Sequence, residues 1–357
     1  KWVETKTGFY ADGTLHSMSN TFEFLRFPPL VLLDKFRLGL TILRAAHIRN
    51  WRKLETQTVS DWLRRWSGEN TFAKIWQPLL RAKLGETYQS TSAAFIWATI
   101  QRMYAARKSG LKKEMFGYIP GGYARILDEI SQQLTRENVR IENQRRAEKI
   151  TSTPDSRLKV LFAQGAEETY DHLIITIPSP LAAGICPELT EEEKRQLNAL
   201  QYLGVICASV LLKKPLSEYY VTNITDPGFP FTGVIEMSAL VDRNFFSGNA
   251  LVYLPKYVTH DDPAFELTDA EIEEQFLPAL MRMHPELKAE DVTSFHVSRA
   301  RRVFALSTLH YSEKLPPIRT SMPGVYILNS AHIVNGTLNV NETIKLADST
   351  LPRILSR

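Results

Sequence analysis

Several features that mark common classes of protein are absent from this chain. Its two cysteines, Cys186 and Cys207, lie in different apolar segments and suggest neither a disulfide framework nor a metal site. The eight histidines form no HExxH motif and no i,i+4 pair, so their spacing does not support metal catalysis. The sequence also contains no G-x-S-x-G elbow and no P-loop.

Long apolar runs and a strong charge of one sign are absent too. No run approaches about 18 apolar residues, so the sequence predicts no membrane-spanning helix. The net charge is +4 and arginines are not interleaved with aromatics, which argues against nucleic-acid binding. With no signal peptide visible and two unpaired cysteines, a reducing, cytoplasmic location is expected. The apolar content of 44% is typical of a globular protein, and 357 residues suggest two domains.

The glycines lack one specific arrangement. None of the 17 glycines forms the G-x-G-x-x-G turn that grips a dinucleotide pyrophosphate. That turn requires a βαβ unit of about 30 residues, with an acidic residue about 20 positions beyond the glycines. We find no such unit in the sequence.

The most informative segment lies near the C-terminus. The apolar run 324–329 (GVYILN) predicts a strand, and a loop with one glycine follows it. Asn339, with Glu342 three residues later, is typical of a helix N-cap with a capping-box partner. The free N–H groups at such a helix start favour an anion or an electron-rich ring edge. Most strand–loop–helix units bind nothing, so this pattern alone leaves a plain structural role open.

This C-terminal segment resembles the FAD-binding element of the flavin-containing amine oxidase and protoporphyrinogen oxidase superfamily. Further segments resemble the superfamily in the expected order, and the resemblance spans nearly the whole chain: 2–10, 78–85, 117–123, 171–178 and 202–205. Within the superfamily, the chain is similar to an oxidoreductase branch that also resembles UDP-galactopyranose mutase and phytoene desaturase. The resemblance implies FAD as the cofactor. Because the superfamily opens with the G-x-G-x-x-G unit, we interpret this chain as an N-terminally truncated flavoprotein.

The resemblance implies a mixed α/β fold with two discontinuous domains. A partial FAD-binding nucleotide domain is expected at 117–178 and 322–357, with the strand at 325–329 in the same sheet as the strand at 172–177. A substrate domain of mostly antiparallel sheet and helices is expected at 1–116 and 179–321. Periodicity predicts a hairpin at 7–18, helices over much of 22–116, and strands at 139–141, 158–162, 203–212, 231–236, 250–254 and 292–298. Capping boxes at Thr190 and Thr268 predict two helix starts.

The cofactor contacts are expected, by resemblance, at the ends of these strands and at the last helix start. Near the flavin fall Asn329, Leu338, Asn339, Val340 and Asn341. Main-chain atoms near Ala147 match the position that holds the adenine, and Thr176, Ile177 and Pro178 match a strand end beside the cofactor. The alternative interpretation is a buried strand at 174–177 and a simple N-cap at Asn339.

Three residues are candidates for contact with the substrate. Lys83 matches a family segment in which a lysine holds a water at flavin N5, and burial would shift the pKa of such a lysine. A surface or ion-paired lysine is the alternative. His310 and Tyr311 could line the substrate channel, and a packing role is the favoured alternative for Tyr311.

Residues 27–48 combine apolar side chains with a basic margin that includes Arg37 and Arg44. An apolar helix of this kind either covers the core of the substrate domain or lies on an anionic membrane. We favour the core and keep peripheral membrane contact open. Oligomeric state cannot be inferred from the sequence.

The leading hypothesis is an FAD-dependent oxidoreductase that removes hydride from a C–N or C–C unit of a small molecule. Because the isoalloxazine carries the redox step, few catalytic side chains are required. One alternative is a non-redox flavoenzyme resembling UDP-galactopyranose mutase. Another is an inactive fragment that serves as a folded scaffold, and we expect residues 1–357 by themselves to be inactive.

Overall fold

The computed structural model describes residues 1–18, 23, 26–107 and 115–355. The chain folds into two compact units, each built from separate parts of the sequence. The first unit contains the N-terminal segment up to Tyr118, then Tyr202–Val303 and Ser307–Leu309. The second contains Ile119–Gln201, Phe304–Leu306 and the segment from His310. The mixed α/β class expected from the sequence is confirmed.

A seven-stranded sheet organises the first unit. The strands of this unit are β1 Trp2–Glu4, β2 Lys6–Ala11, β3 Thr14–Ser17, β4 Met115–Gly117, β9 Tyr202–Leu212, β10 Tyr219–Ile224, β11 Gly233–Glu236, β12 Ala250–Thr259 and β13 Val292–Ala305. The order in the sheet is β13-β9-β12-β11-β10-β2-β3. The pairs β9–β12, β12–β11, β11–β10 and β2–β3 are antiparallel, whereas β10 pairs with β2 in parallel. A separate antiparallel pair joins β1 to β4.

The two faces of this sheet differ in burial. Alternate residues of β9, beginning with Ile206 and Ala208, are fully buried and belong to the core that includes Phe276 and Leu280. Those two side chains come from a helix after β12, which begins at the predicted Thr268 capping box. The intervening residues of β9, such as Val205 and Cys207, are only half-buried. This period of two is what a strand with unequal faces requires.

Helices make up most of the rest of the first unit. A helical stretch at Glu69–Thr71 and a π-helical turn at Phe72–Trp76 lead into the helix Gln77–Leu84, which packs against β12. Thr58 caps the helix Val59–Ser67 by accepting a bond from the Asp61 N–H. The helices are α1 Leu32–His47, α2 Val59–Ser67, α3 Gln77–Leu84, α4 Ala93–Arg107 and, after β12, α8 Asp269–Met283. The predicted end of the helical region near 109–110 lies outside the described residues.

The second unit contains two small sheets and four helices. Strands β5 Ala147–Ser152, β6 Leu158–Phe162 and β7 Glu167–Tyr170 form an antiparallel sheet, and β8 Leu173–Ile175 pairs in parallel with β14 Val325–Ile327. The predicted sharing of one sheet by these last two strands is confirmed. The helices are α5 Gly122–Arg136, α6 Ser179–Ile185, α7 Glu191–Ala199 and α9 Val340–Leu355.

The second unit extends further along the chain than the predicted boundary after Pro178. Helices α6 and α7 contribute Ala182, Cys186 and Leu197 to the core around Ile175 and Ile327. These two helices belong to the second unit because their apolar faces are buried in its core. Thr190 forms the predicted capping box with Glu193 at the start of α7.

Two strand predictions for this unit need correction. Within the described chain, residues 139–141 form no strand, and the side chains of Val139 and Ile141 are exposed. The segment predicted as a buried strand at 174–177 ends at Ile175, and Ile174 and Ile177 are exposed. The apolar side chains at these positions predicted burial. A side chain is buried only where a neighbouring element covers it, and these four are exposed.

Candidate functional site

The carboxyl ends of β8 and β14 bring several predicted cofactor residues together. Parallel strands end at the same edge of a sheet, where ligands of α/β proteins commonly bind. The Leu328 N–H donates to the Ile175 carbonyl at 3.0 Å and extends the pairing by one residue. Beyond it, the Asn329 amide donates to the Ile177 carbonyl at 2.8 Å. Thr176, Ile177, Pro178 and Asn329 therefore lie side by side at this edge.

Asn329 shapes the loop with its whole side chain. Its Nδ2 also donates to Ser179 Oγ at 3.1 Å, and its Oδ1 accepts from the Ala331 N–H at 3.0 Å. This last bond starts the 3-10 turn Ser330–His332. Because the side chain of Asn329 is buried and bonded on both ends, it fixes the position of the backbone at the strand end. Any contact with a cofactor at this point would come from the backbone or from the exposed side chains of Thr176 and Ile177.

The start of α9 has the predicted N-cap. Asn339 Oδ1 accepts from the Glu342 N–H at 3.1 Å, and Asn339 Nδ2 donates to the Thr337 carbonyl at 2.6 Å. The reciprocal half of the capping box is not among the described hydrogen bonds, and the Glu342 carboxylate accepts from Lys345 instead. Asn339 is therefore a cap that also tightens the preceding loop.

The surroundings of this helix start suit a flat, partly apolar ligand. Leu338 and Val340 are exposed on either side of Asn339, and Asn341 is exposed in the first turn. The first N–H groups of any helix have no carbonyl partner within the helix, and they carry partial positive charge. Exposed apolar side chains beside such N–H groups match the face and the electron-rich edge of an isoalloxazine ring. The residues present thus fit a flavin.

Ala147 lies at the first position of β5, opposite Phe162. Two residues before it, the Arg145 guanidinium stacks on the Phe162 ring at 4.1 Å from the ring centre and pairs with Glu168 at 2.7 Å. Hydrogen bonds from Tyr170 and Arg145 lower the pKa of Glu168 to about 2. The structure places Ala147 in the same unit as Asn329 but on the other sheet.

Lys83 lies in the last turn of α3, in the first unit, and is half-buried. Its Nζ is 3.6 Å from the centre of the Tyr257 ring. Burial, reinforced by the nearby positive charge of Arg102, lowers the pKa of Lys83 to about 8. The cation–π contact favours the charged form by about 0.5–2 kcal/mol, which offsets at most about 1.5 pKa units and leaves the pKa below its usual value of 10.5.

The sheet face near Lys83 carries side chains that sequence reasoning did not single out. Cys207 lies opposite Pro255 in the β9–β12 pairing, so Tyr253 and Tyr257 flank it on the same face. Burial raises the pKa of Tyr257 and of Tyr253, and it raises that of Cys207 to about 11. The i,i+4 spacing of the two tyrosines was a usable signal, but the predicted strand ended at 254, before Tyr257.

The two predicted channel residues have different environments. Tyr311 is buried, and its hydroxyl donates to the Ala331 carbonyl at 2.7 Å, so it contributes to packing. His310 is exposed with a left-handed backbone, and its Nδ1 lies 3.3 Å from the Glu313 carboxylate. Both lie in the second unit. Their role in a channel stays a prediction.

The described residues contain no group of three or more His, Cys, Asp or Glu side chains placed to hold a metal ion. None of their helices combines the length and the apolar character needed to cross a bilayer.

Comparisons with known proteins define the class. Residues 3–338 match the family of flavin containing amine oxidoreductases, and because the match covers nearly the whole chain, the protein belongs to that family. Comparison with curated protein sequences gives no match. The family resemblance and the FAD cofactor predicted from the sequence are confirmed at this level.

Solved structures share the fold at low sequence identity. A protein assigned as a protoporphyrinogen oxidase, from Exiguobacterium sp. 255-15, is similar with a TM-score of 0.71 and 16% identity over 99% of this chain and 81% of that one. Reduced UDP-galactopyranose mutase gives a TM-score of 0.71 and 13% identity over 100% and 80%. Putrescine oxidase bound to putrescine gives 0.67 and 16% over 100% and 83%. At these identities the likeness concerns the fold alone.

Proposed function

We propose that the protein is an FAD-dependent oxidoreductase of the amine oxidase and protoporphyrinogen oxidase type, acting on a C–N or C–C unit of a small molecule. The observation that carries this proposal is the strand edge at residues 176–178 and Asn329, and the capped start of α9 in the same unit adds to it. When bound, FAD supplies the hydride acceptor at N5 of its ring. The protein has to position the substrate, exclude water and manage a proton.

The second unit supplies the cofactor contacts in this proposal. The first N–H groups of α9, at Val340 and Asn341, would hold the electron-rich edge of the ring, and Leu338 would contact its face. Asn339 fixes this helix start, and Asn329 fixes the strand end at Ile177, through the hydrogen bonds described above. The strand end at Thr176–Pro178 and main-chain atoms at Ala147 would hold other parts of the cofactor, the latter its adenine.

Lys83 is the residue proposed to handle the proton. With a pKa of about 8, Lys83 is mostly charged at neutral pH but gives up its proton more readily than an exposed lysine. It can therefore hold a water by a hydrogen bond, and it can exchange a proton during turnover. Tyr257, Tyr253 and Cys207 form the half-buried surface beside it, which suits a substrate with apolar or aromatic parts. His310 and Tyr311 are the proposed channel residues.

The test is to purify the full product of the gene and record its visible absorption spectrum. Bound oxidised flavin is expected, and its anaerobic bleaching by an amine or by a porphyrinogen would assign the substrate class. The Lys83→Met variant should bleach about 100-fold more slowly, while Tyr257→Phe keeps the ring contact and should stay within about tenfold of wild type. A full product that takes up no FAD would overturn the proposal.

A non-redox reaction is the second candidate, supported by the fold shared with reduced UDP-galactopyranose mutase. The two candidates differ in the flavin state that they need. If the protein converts a UDP-sugar only after dithionite has reduced the flavin, and consumes no oxygen, the non-redox reaction is favoured. Oxygen consumption with amines or porphyrinogens would favour the oxidase.

A further inference from the structure

Helix α1 exposes an apolar stripe that the core does not use. Its side chains are 47% to 74% exposed, although they are large and apolar. The stripe consists of Val31, Leu32, Leu33, Phe36, Leu40 and Leu43. Spacings of three and four residues place its helical members on one face. The prediction that residues 27–48 cover the core is therefore correct for only one side of this helix.

The opposite face of α1 shows why the stripe points outward. Leu38, Thr41 and Ala45 are buried, and α1 packs on α2 and α4. Ser67 Oγ donates to Thr41 Oγ1 at 3.0 Å and accepts from Trp76 Nε1 at 2.9 Å. This chain of hydrogen bonds fixes the rotation of α1, because turning the stripe inward would leave these polar groups without their partners.

Positive charge borders the stripe. Arg37 and Arg44 are exposed beside it, and the Arg44 guanidinium is held 3.6 Å from the centre of the Trp66 ring. Arg49, Arg52 and Lys53 follow just beyond the end of the helix and are also exposed. The one acidic residue of α1, Asp34, is buried and bonded to Asn70. The outward side of α1 thus combines apolar and cationic groups without a carboxylate.

We propose that α1 docks this protein onto an anionic lipid bilayer, with the stripe in the acyl–headgroup boundary and the arginines at the lipid phosphates. Apolar side chains with a basic margin are the recognised features of helices that lie in a membrane surface. The 16 residues of α1 extend about 24 Å, which is too short to span a bilayer. The proposal does not depend on flavin binding.

A second copy of the chain fits the stripe less well. In an antiparallel pair of α1 helices, the arginine margins of both copies would lie along the same edge. No exposed acid on α1 would compensate them, and like charges in contact oppose association. A bilayer with anionic headgroups satisfies the apolar and the cationic groups together.

The experiment is co-sedimentation of residues 1–357 with vesicles of phosphatidylcholine containing phosphatidylglycerol, compared with phosphatidylcholine alone. We expect binding to the anionic vesicles that weakens as salt is raised. The double variant Phe36→Gln/Leu40→Gln should reduce the partition coefficient at least tenfold. Arg37→Gln/Arg44→Gln should reduce it about fivefold for each arginine and weaken the salt dependence.

The matched control is Leu127→Gln/Ile130→Gln on α5, which changes exposed apolar side chains on another amphipathic helix. Circular dichroism should show all variants folded, because every altered side chain is exposed. After subtraction of the protein that sediments without vesicles, the control should bind vesicles as wild type does. Wild type that does not sediment, an α1 variant that binds like wild type, or an oligomer that only the α1 variant dissociates would each overturn the proposal.

Discussion

Burial and the charge of Arg102 both lower the pKa of Lys83. This shift predicts how the stability of the protein depends on pH. The unfolded chain keeps this proton up to the ordinary pKa of 10.5, whereas the folded chain loses it at about 8. Between those two pH values the unfolded state binds more protons, so the free energy of unfolding rises with pH. Below pH 8 the burial of the charge costs stability.

Lys83→Met should therefore be more stable than wild type at pH 7, by about 1–3 kcal/mol, and the difference should shrink towards pH 10. Urea unfolding at several pH values measures this. Lys53→Met, at an exposed lysine of the same unit, is the control for losing one positive charge and should follow the wild-type curve. A constant difference between Lys83→Met and wild type at every pH would mean that Lys83 does not titrate in this range.

Asn339 offers a second prediction at the scale of one residue. Asn339→Ala removes the N-cap of α9 and should lower the free energy of unfolding by about 1 kcal/mol. Asn341→Ala changes an exposed residue two positions later and should change the free energy of unfolding far less. In the full gene product, Asn339→Ala should also weaken FAD retention, measured by flavin release on dilution. Lost stability with unchanged retention would leave Asn339 a structural cap.

At the scale of elements, β9 and β13 approach each other closely at Gly204. A Cβ at this position would lie 2.6 Å from the Ala300 carbonyl oxygen and 2.6 Å from the Phe265 ring. Backbone cannot move aside cheaply, so Gly204→Ala should cost about 1–3 kcal/mol. Gly184→Ala is the control, because a Cβ in α6 meets nothing within 4 Å. This second change should be neutral or stabilise by about 0.5–1 kcal/mol, since glycine weakens a helix. Equal effects in thermal unfolding would contradict the close approach.

For the whole molecule, we expect residues 1–357 to bind FAD weakly, because their sequence contains no G-x-G-x-x-G turn. A hydrogen bond to a charged phosphate contributes about 1.5–3 kcal/mol, so two or three fewer bonds should weaken binding by about two to six decades. We expect no saturable binding at micromolar FAD and no oxidase activity for residues 1–357. Flavin fluorescence during titration is the measurement. Micromolar or tighter binding would show that another part of the chain grips the pyrophosphate.

We expect residues 1–357 to self-associate. No side chain of α5 is buried, and its amphipathic pattern leaves Tyr123, Leu127 and Ile130 exposed. Ile174 and Ile177 add exposed apolar surface in the same unit. Large exposed apolar patches favour association. Light scattering of residues 1–357 should rise with concentration, and Leu127→Gln/Ile130→Gln should reduce that rise.

Many elements could be predicted from the sequence because they depend on interactions between residues close together in the chain. The hairpin at 7–18, the caps at Thr190, Thr268 and Asn339, and the alternating strand at 203–212 depend on interactions between neighbouring residues, so their sequence patterns are sufficient to predict them. The order of the family segments then identified the flavoprotein family and predicted that β8 and β14 share a sheet.

Tertiary structure decided what depends on partners distant in sequence. Whether Ile174 is buried, which side of α1 faces outward, and where the second unit ends follow from the elements that pack nearby. Tyr257 lies over Lys83 because α3, far away along the chain, packs on β12. The lowered pKa of Lys83 has the same origin, since burial is a property of the assembled fold. The sequence by itself determined the family and the local elements, and only long-range packing determined which side chains are buried and which remain available for binding.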